Sequence, residues 1–263
     1  MKIPEFVDIQ VDEKNSVVTA MFNRDDMRNA LTGTGIIDDL LQLCDWVNCN
    51  HDIGAVVITG AGKAFSAGGN IKDMRDRNDL FGESPIAQQN IYRRGIQSMS
   101  MALYRLEVPL IAAVNGPAIG AGLDLVCMAD IRLGCKYAKV GETFLNLGLI
   151  PGDGGAWFLP RVVGLQRAAE MTFSGRIVGP EEAQRIGLFL ELCEPENLVN
   201  RAVEMAESYA CQPREALRMS KRLLQAGQRM PLNDFLDFCA SQQALCHTSD
   251  QHHAAVEAFF SKT

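Results

Sequence analysis

"NGPAIGAGLDL" (Asn115–Leu125) crowds three glycines and two alanines ahead of a single carboxylate, Asp124. The stretch follows an apolar run, "PLIAAV" (Pro109–Val114), so it reads as a strand that breaks into a glycine-bearing turn and then a helix. Small residues there let the backbone approach a ligand, and the first N–H groups of the helix point outward without intrahelical partners. A second turn of the same kind, "AGKAFSAGGNIKDM" (Ala61–Met74), follows the strand-like run "AVVITG" (Ala55–Gly60). Two such turns facing each other would aim two N–H donors at one point, the anatomy of an oxyanion hole. Glycine turns also serve close packing alone, and that alternative stays open. Neither turn has the spacing of a dinucleotide fingerprint or a P-loop.

Outward from these turns, "SVVTAMF" (Ser16–Phe22), "DIRLG" and "AKVGE" read as further strands, and Ile36, Ile37, Leu40, Leu41, Cys44 and Val47 repeat at helical spacing. A helical stretch is expected through about Met99 to Leu106. Strands and helices alternate, as in an α/β fold whose strands are buried on both faces. After about Gly164 the pattern becomes helix after helix, several opening on Pro with Glu just behind it. These amphipathic helices must bury their apolar stripes on the core or on a neighbouring subunit.

The 263 residues are 47% hydrophobic and 22% charged, enough for a large core, and the start lacks signal-peptide character. No apolar run is long enough to span a bilayer, so a cytoplasmic protein is expected. A net charge of −7 without a basic run speaks against nucleic acid as partner. Eight cysteines without a CxxC pair read as buried thiols, and four histidines show neither metal nor triad spacing. No metal and no cofactor are expected.

A third turn, "LGLIPGDGGAWFLPR" (Leu147–Arg161), combines Pro151, Asp153 and Trp157 ahead of a helix. With "NRDDMRNAL", "GAGKAFSAGGNIKDM", "VNGPAIGAGLDLVCMADIRLG" and "SGRIVGPEEAQRIGL" in this order, the chain resembles the crotonase superfamily, the enoyl-CoA hydratase/isomerase family, over nearly its whole length. The resemblance implies an α/β crotonase-type spiral of ββα units with a C-terminal helical trimerisation region. It divides the chain into a core with the acyl-CoA site at 1–195 and a helical region at 196–263 that completes site and oligomer. An acyl-CoA thioester is the implied ligand, coenzyme A entering only as part of the substrate, and a homotrimer or a hexamer (dimer of trimers) is the implied assembly.

Carried over by position, the oxyanion donors fall on the N–H groups of Ala67 and Ala121, and the first catalytic acid falls on Asp124. An Asp near a glycine turn also caps helices, which is the alternative for Asp124. The family's second glutamate falls on Phe144, so a partner acid is sought in Asp153 or in Glu142. Asp153 is alternatively a helix cap, and Glu142 alternatively a solvated surface residue. The implied CoA and substrate contacts are Arg24, Met27, Arg28 and Ala30; the backbone of Ser66, Gly68, Gly69 and Asn70; Gly120 and Phe144; and Phe259 and Lys262 near the C-terminus. With one acid and an apolar wall at Phe144, double-bond isomerisation by Asp124 is favoured. Hydration by Asp124 with Asp153, or a catalytically reduced acyl-CoA-binding subunit, are the alternatives.

Overall fold

The computed structural model describes residues 1–261. Among them the strands are β1 (Ile9–Lys14), β2 (Val17–Phe22), β3 (Ala55–Gly60), β4 (Leu110–Val114), β5 (Ala118–Ile119), β6 (Ile131–Cys135), β7 (Val140–Gly141), β8 (Ile177–Val178) and β9 (Glu191–Cys193). A six-stranded sheet runs in the order β1-β2-β3-β4-β6-β9, antiparallel between β1 and β2 and parallel thereafter. A smaller sheet joins β5 to β7 in parallel and β7 to β8 antiparallel.

The central strands β3 and β4 are buried at every position, which is why they read as unbroken apolar runs. Strand β1, "IQVDEK", is an edge strand that exposes most of its residues and carried no comparable signal. The stretch "AKVGE" forms only the two-residue β7.

The helices are α1 (Ile36–Cys49), α2 (Ile71–Asp76), α3 (Pro85–Arg94), α4 (Ile96–Tyr104), α5 (Ala121–Met128), α6 (Gly155–Val163), α7 (Leu165–Ser174), α8 (Pro180–Arg185), α9 (Leu198–Ala210), α10 (Arg214–Gly227), α11 (Leu232–His247) and α12 (Asp250–Phe260). One face of the main sheet packs on the large core holding α1, α4 and α5. The other face is covered by α9, whose Leu198, Ala202, Ala206 and Ala210 meet Val57, Ile111 and Leu133. The small residues of α9 let it approach the sheet closely, so the helical region begins as part of the core rather than as an appendage.

Helix α10 is then fastened by two buried cations. Arg218 donates to the carbonyls of Val47 and Asn50 and pairs with Glu107 at 2.9 Å. Lys221 donates to the Val108 carbonyl and pairs with Asp130 at 2.7 Å. Helices α11 and α12 bury no residue within the chain.

Of the eight cysteines, Cys44, Cys127 and Cys135 are buried; Cys49 and Cys211 are exposed, and all eight are free thiols. The expectation of buried thiols holds for those three only, because the other five lie on helix ends or half-covered faces. Among the described residues, no helix is long and apolar enough to cross a membrane.

Candidate active site

The two glycine turns do face each other. A Cβ on Gly68 would lie 2.3 Å from the Ile119 carbonyl oxygen and 3.0 Å from the Ala121 nitrogen, and one on Gly122 would lie 2.3 Å from the Ser66 carbonyl oxygen. Only bare backbone fits this contact. Gly120 enters α5 at φ +55°, a left-handed conformation that favours glycine, and Ala121 is the first residue of the helix, where an N–H has no intrahelical acceptor.

Ala67 sits differently from expectation. Its N–H donates to the Arg28 carbonyl at 2.9 Å, so it reaches a ligand only by sharing that bond. Ser66 is fully buried, its hydroxyl donating to the Asn29 carbonyl and accepting from the Gly68 N–H. It clamps the turn from within, and its side chain is closed to a ligand.

A chamber of about 230 Å³ opens in front of these turns, bordered by Gly69, Ala121, Phe144 and Asp153. Its remaining wall includes Ile37 of α1 and Met74 of α2, which the sequence marked as part of a helical stripe and of the second glycine turn, and Ile91 and Tyr92 of α3 and Ile96 of α4, which it did not single out. Their apolar spacing reads equally well as core packing, so no sequence signal separates them from ordinary helix faces.

The three candidate acids come together. Asp124 and Glu142 are almost wholly buried, at 1% and 0% exposure, and Asp153 is at 5%. The reading of Glu142 as a solvated surface residue is therefore corrected: it follows β7 and lies buried beneath the start of α6. A Cβ on Gly155 would lie 2.0 Å from Asp124 Oδ1 and 2.5 Å from Glu142 Oε1, so both carboxyls crowd one point. The Gly155 N–H donates to Asp124 Oδ2 at 3.0 Å, while Asp124 Oδ1 and both oxygens of Glu142 have no donor from elsewhere in the protein.

Two adjacent buried carboxylates without donors disfavour each other's charged form. Burial, and the nearness of Glu142 and Asp153, push Asp124 well up, and burial raises Glu142 as well. Burial pushes Asp153 up to about 6. Neither aspartate caps its helix: α5 and α6 begin on Gly120 and Gly154 without a side-chain cap. Of the three acids, Asp153 borders the chamber.

The nucleotide-side expectations divide. Arg24 is engaged by Asp26 at 2.9 Å and by Asp8 at 3.2 Å rather than standing ready for a phosphate. Its Nη2 also approaches the half-buried Met27 sulfur, and Ala30 is buried. Arg28 is exposed, in a left-handed turn at φ +53°. Asn70 caps α2, accepting from the Lys72 N–H at 3.1 Å, which fixes the loop. Phe259 lies on α12 beside Ala210 and Arg214, away from the chamber of its own chain. Lys262 lies outside the described residues. Among those residues, no group of His, Cys, Asp and Glu is arranged to hold a metal ion.

The enoyl-CoA hydratase/isomerase family model matches residues 12–263. The chain is 31% identical to a short-chain-enoyl-CoA hydratase of Clostridium acetobutylicum, over 98% of this chain and 96% of that protein. It is 32% identical to a 1,2-epoxyphenylacetyl-CoA isomerase of Escherichia coli, with the same coverage. Among solved structures, an enoyl-CoA hydratase from Bacillus anthracis superposes with a TM-score of 0.90 at 29% identity, covering 97% of each chain. An enoyl-CoA hydratase/isomerase from Cupriavidus metallidurans does so at 0.89 and 33% identity, covering 99% and 96%. With the facing glycine turns, the buried acids and the crotonase fold, these likenesses place the chain in the enoyl-CoA hydratase/isomerase family, as an enzyme of that type.

Proposed function

We propose that the protein shifts a double bond within an enoyl-CoA, with Asp153 carrying the proton. The observation that supports this is the placement of Asp153: an acid raised by burial, on the wall of the mostly apolar chamber that Ala121 also lines. A thioester carbonyl held at Ala121 makes the neighbouring carbon acidic. The Asp153 carboxylate takes that proton, the enolate charge rests on the N–H donor, and the proton returns at a carbon further along the chain. Ala67 is the second donor of this reading, sharing its N–H between the enolate oxygen and the Arg28 carbonyl. Asp124 passes from direct acid to the pair behind Asp153, because Gly155 covers it and Glu142 lies against it.

The 1,2-epoxyphenylacetyl-CoA isomerase relative is consistent with isomerisation. Replacing Asp153 with Asn should lower kcat for 3-enoyl-CoA to 2-enoyl-CoA conversion by about a thousandfold. Turnover within a few-fold of wild type in that variant would overturn the assignment.

Hydration is the second reading, and the burial of Glu142 beside Asp124 favours it, since two carboxyls are present after all. The short-chain-enoyl-CoA hydratase relative agrees with it. Accumulation of 3-hydroxyacyl-CoA, lost in both Glu142→Gln and Asp124→Asn, would establish hydration instead. We propose also that the apolar faces left open on α11 and α12 join copies of the chain into a trimer.

A further inference from the structure

Asn29, between the implied coenzyme A contacts Arg28 and Ala30, is wholly buried and holds a left-handed backbone at φ +52°. Arg28 before it does the same at φ +53°. Two consecutive non-glycine residues in this conformation cost free energy and persist only where their surroundings hold them. The Asn29 side chain supplies the hold. Its Nδ2 donates to the carbonyls of Ala61 at 3.0 Å and Ala64 at 2.8 Å, and its Oδ1 accepts from the Arg24 N–H at 2.9 Å. A Cβ on Gly60 would lie 2.8 Å from that Nδ2, so β3 ends on a glycine where the amide passes.

The strained pair turns two successive carbonyls onto the second glycine turn. The Arg28 carbonyl accepts from the Ala67 N–H at 2.9 Å, and the Asn29 carbonyl accepts from Ser66 Oγ at 2.7 Å. Ser66 Oγ in turn accepts from the Gly68 N–H at 3.2 Å. Gly68 is the residue whose missing side chain lets this turn close on Ala121. A chain of hydrogen bonds thus runs from Asn29 to the point where the two glycine turns meet.

We propose that Asn29 is a positioning residue for the thioester carbonyl: by clamping the left-handed pair, and through the Ser66 hydroxyl, it fixes where the Ser66–Gly69 turn stands relative to the Ala121 N–H. Without the clamp the pair relaxes, both carbonyls move with it, and the turn no longer meets the carbonyl oxygen held at Ala121. Ser66 is the link between the two loops, which accounts for a hydroxyl buried out of a ligand's reach. This assignment rests on the reading that the facing turns hold a thioester carbonyl.

Calorimetric titration of the intact protein with butyryl-CoA and with S-butyl-CoA, the thioether that lacks the carbonyl oxygen, isolates the carbonyl's share of binding. Wild type should prefer the thioester. Asn29→Gly keeps access to the left-handed backbone but removes the clamp, and Ser66→Ala removes the link. Each should cut the thioester-to-thioether affinity ratio by about tenfold while S-butyl-CoA still binds as in wild type. In the same variants the infrared band of an isotope-labelled thioester carbonyl, lowered in the wild-type complex, should move back towards its position in water. Equal losses for both ligands would mean a loosened fold and would overturn the positioning role. An unchanged ratio in Ser66→Ala would overturn it as well, and that variant decides alone if Asn29→Gly does not fold. A wild-type protein that binds both ligands equally would overturn the thioester reading of the facing turns, and this assignment with it.

Discussion

At Gly155 the absence of a side chain decides the state of two acids. Its Cα sits so close to Asp124 and Glu142 that a methyl group would overlap both carboxyls, and Gly155→Ala should push the pair apart and destabilise the fold by about 2 kcal/mol or more. The check is chemical denaturation. The acids also set a pH dependence whose direction follows from their shifts. Asp153 and the Asp124–Glu142 pair bind protons more tightly folded than unfolded. Their stabilising contribution is complete below the unfolded carboxyl range near 4 and is lost as pH rises through the folded values, about 6 for Asp153. From Asp153 alone the loss is about 3 kcal/mol. The melting temperature should therefore fall between about pH 4 and pH 7, and Asp153→Asn or Glu142→Gln should flatten the fall; a profile that rises with pH across this window would contradict this origin.

At the scale of elements, α10 is held by charges in an unusual place. Arg218 and Lys221 are each 6% exposed, and both reach across to loop carbonyls at the ends of α1 and β4. Lys221→Ala leaves the Val108 carbonyl without its donor and Asp130 with the Leu110 N–H alone, and should cost about 2 kcal/mol in thermal or denaturant unfolding, with chamber chemistry preserved. A loss near zero would mean that water replaces the ammonium. In the sequence, "RMSKRLL" reads as one amphipathic turn after another, and nothing local distinguishes a cation bound to carbonyls from one in water. The long buried strands and the helices after Gly164 were legible, because burial on two faces leaves apolar runs and burial on one face leaves a helical stripe. The two-residue strands β5 and β8 were not, since a pair of residues has no period, and β7 was read only as a longer run, "AKVGE".

At the scale of the whole molecule, Leu232, Leu236 and Leu245 of α11 and Val256 and Phe260 of α12 are exposed in the single chain. Apolar faces of this extent normally meet another surface. Sedimentation velocity at micromolar concentration should show a trimer, and Leu236→Asp should shift the distribution towards monomer; a wild-type protein that stays monomeric would refute the pairing. The amino-acid sequence by itself determined the α/β class, the order of the glycine turns, the family and the candidate acids Asp124, Asp153 and Glu142. All of these rest on spacing along the chain. Only the tertiary structure decided which acid faces the chamber, that Glu142 is buried against Asp124, and that the Ala67 N–H is already engaged. The reason is physical. The burial and proton affinity of Asp124 depend on Gly155, distant in sequence, and on what β7 and α6 lay over it, and such contacts leave no trace in local pattern.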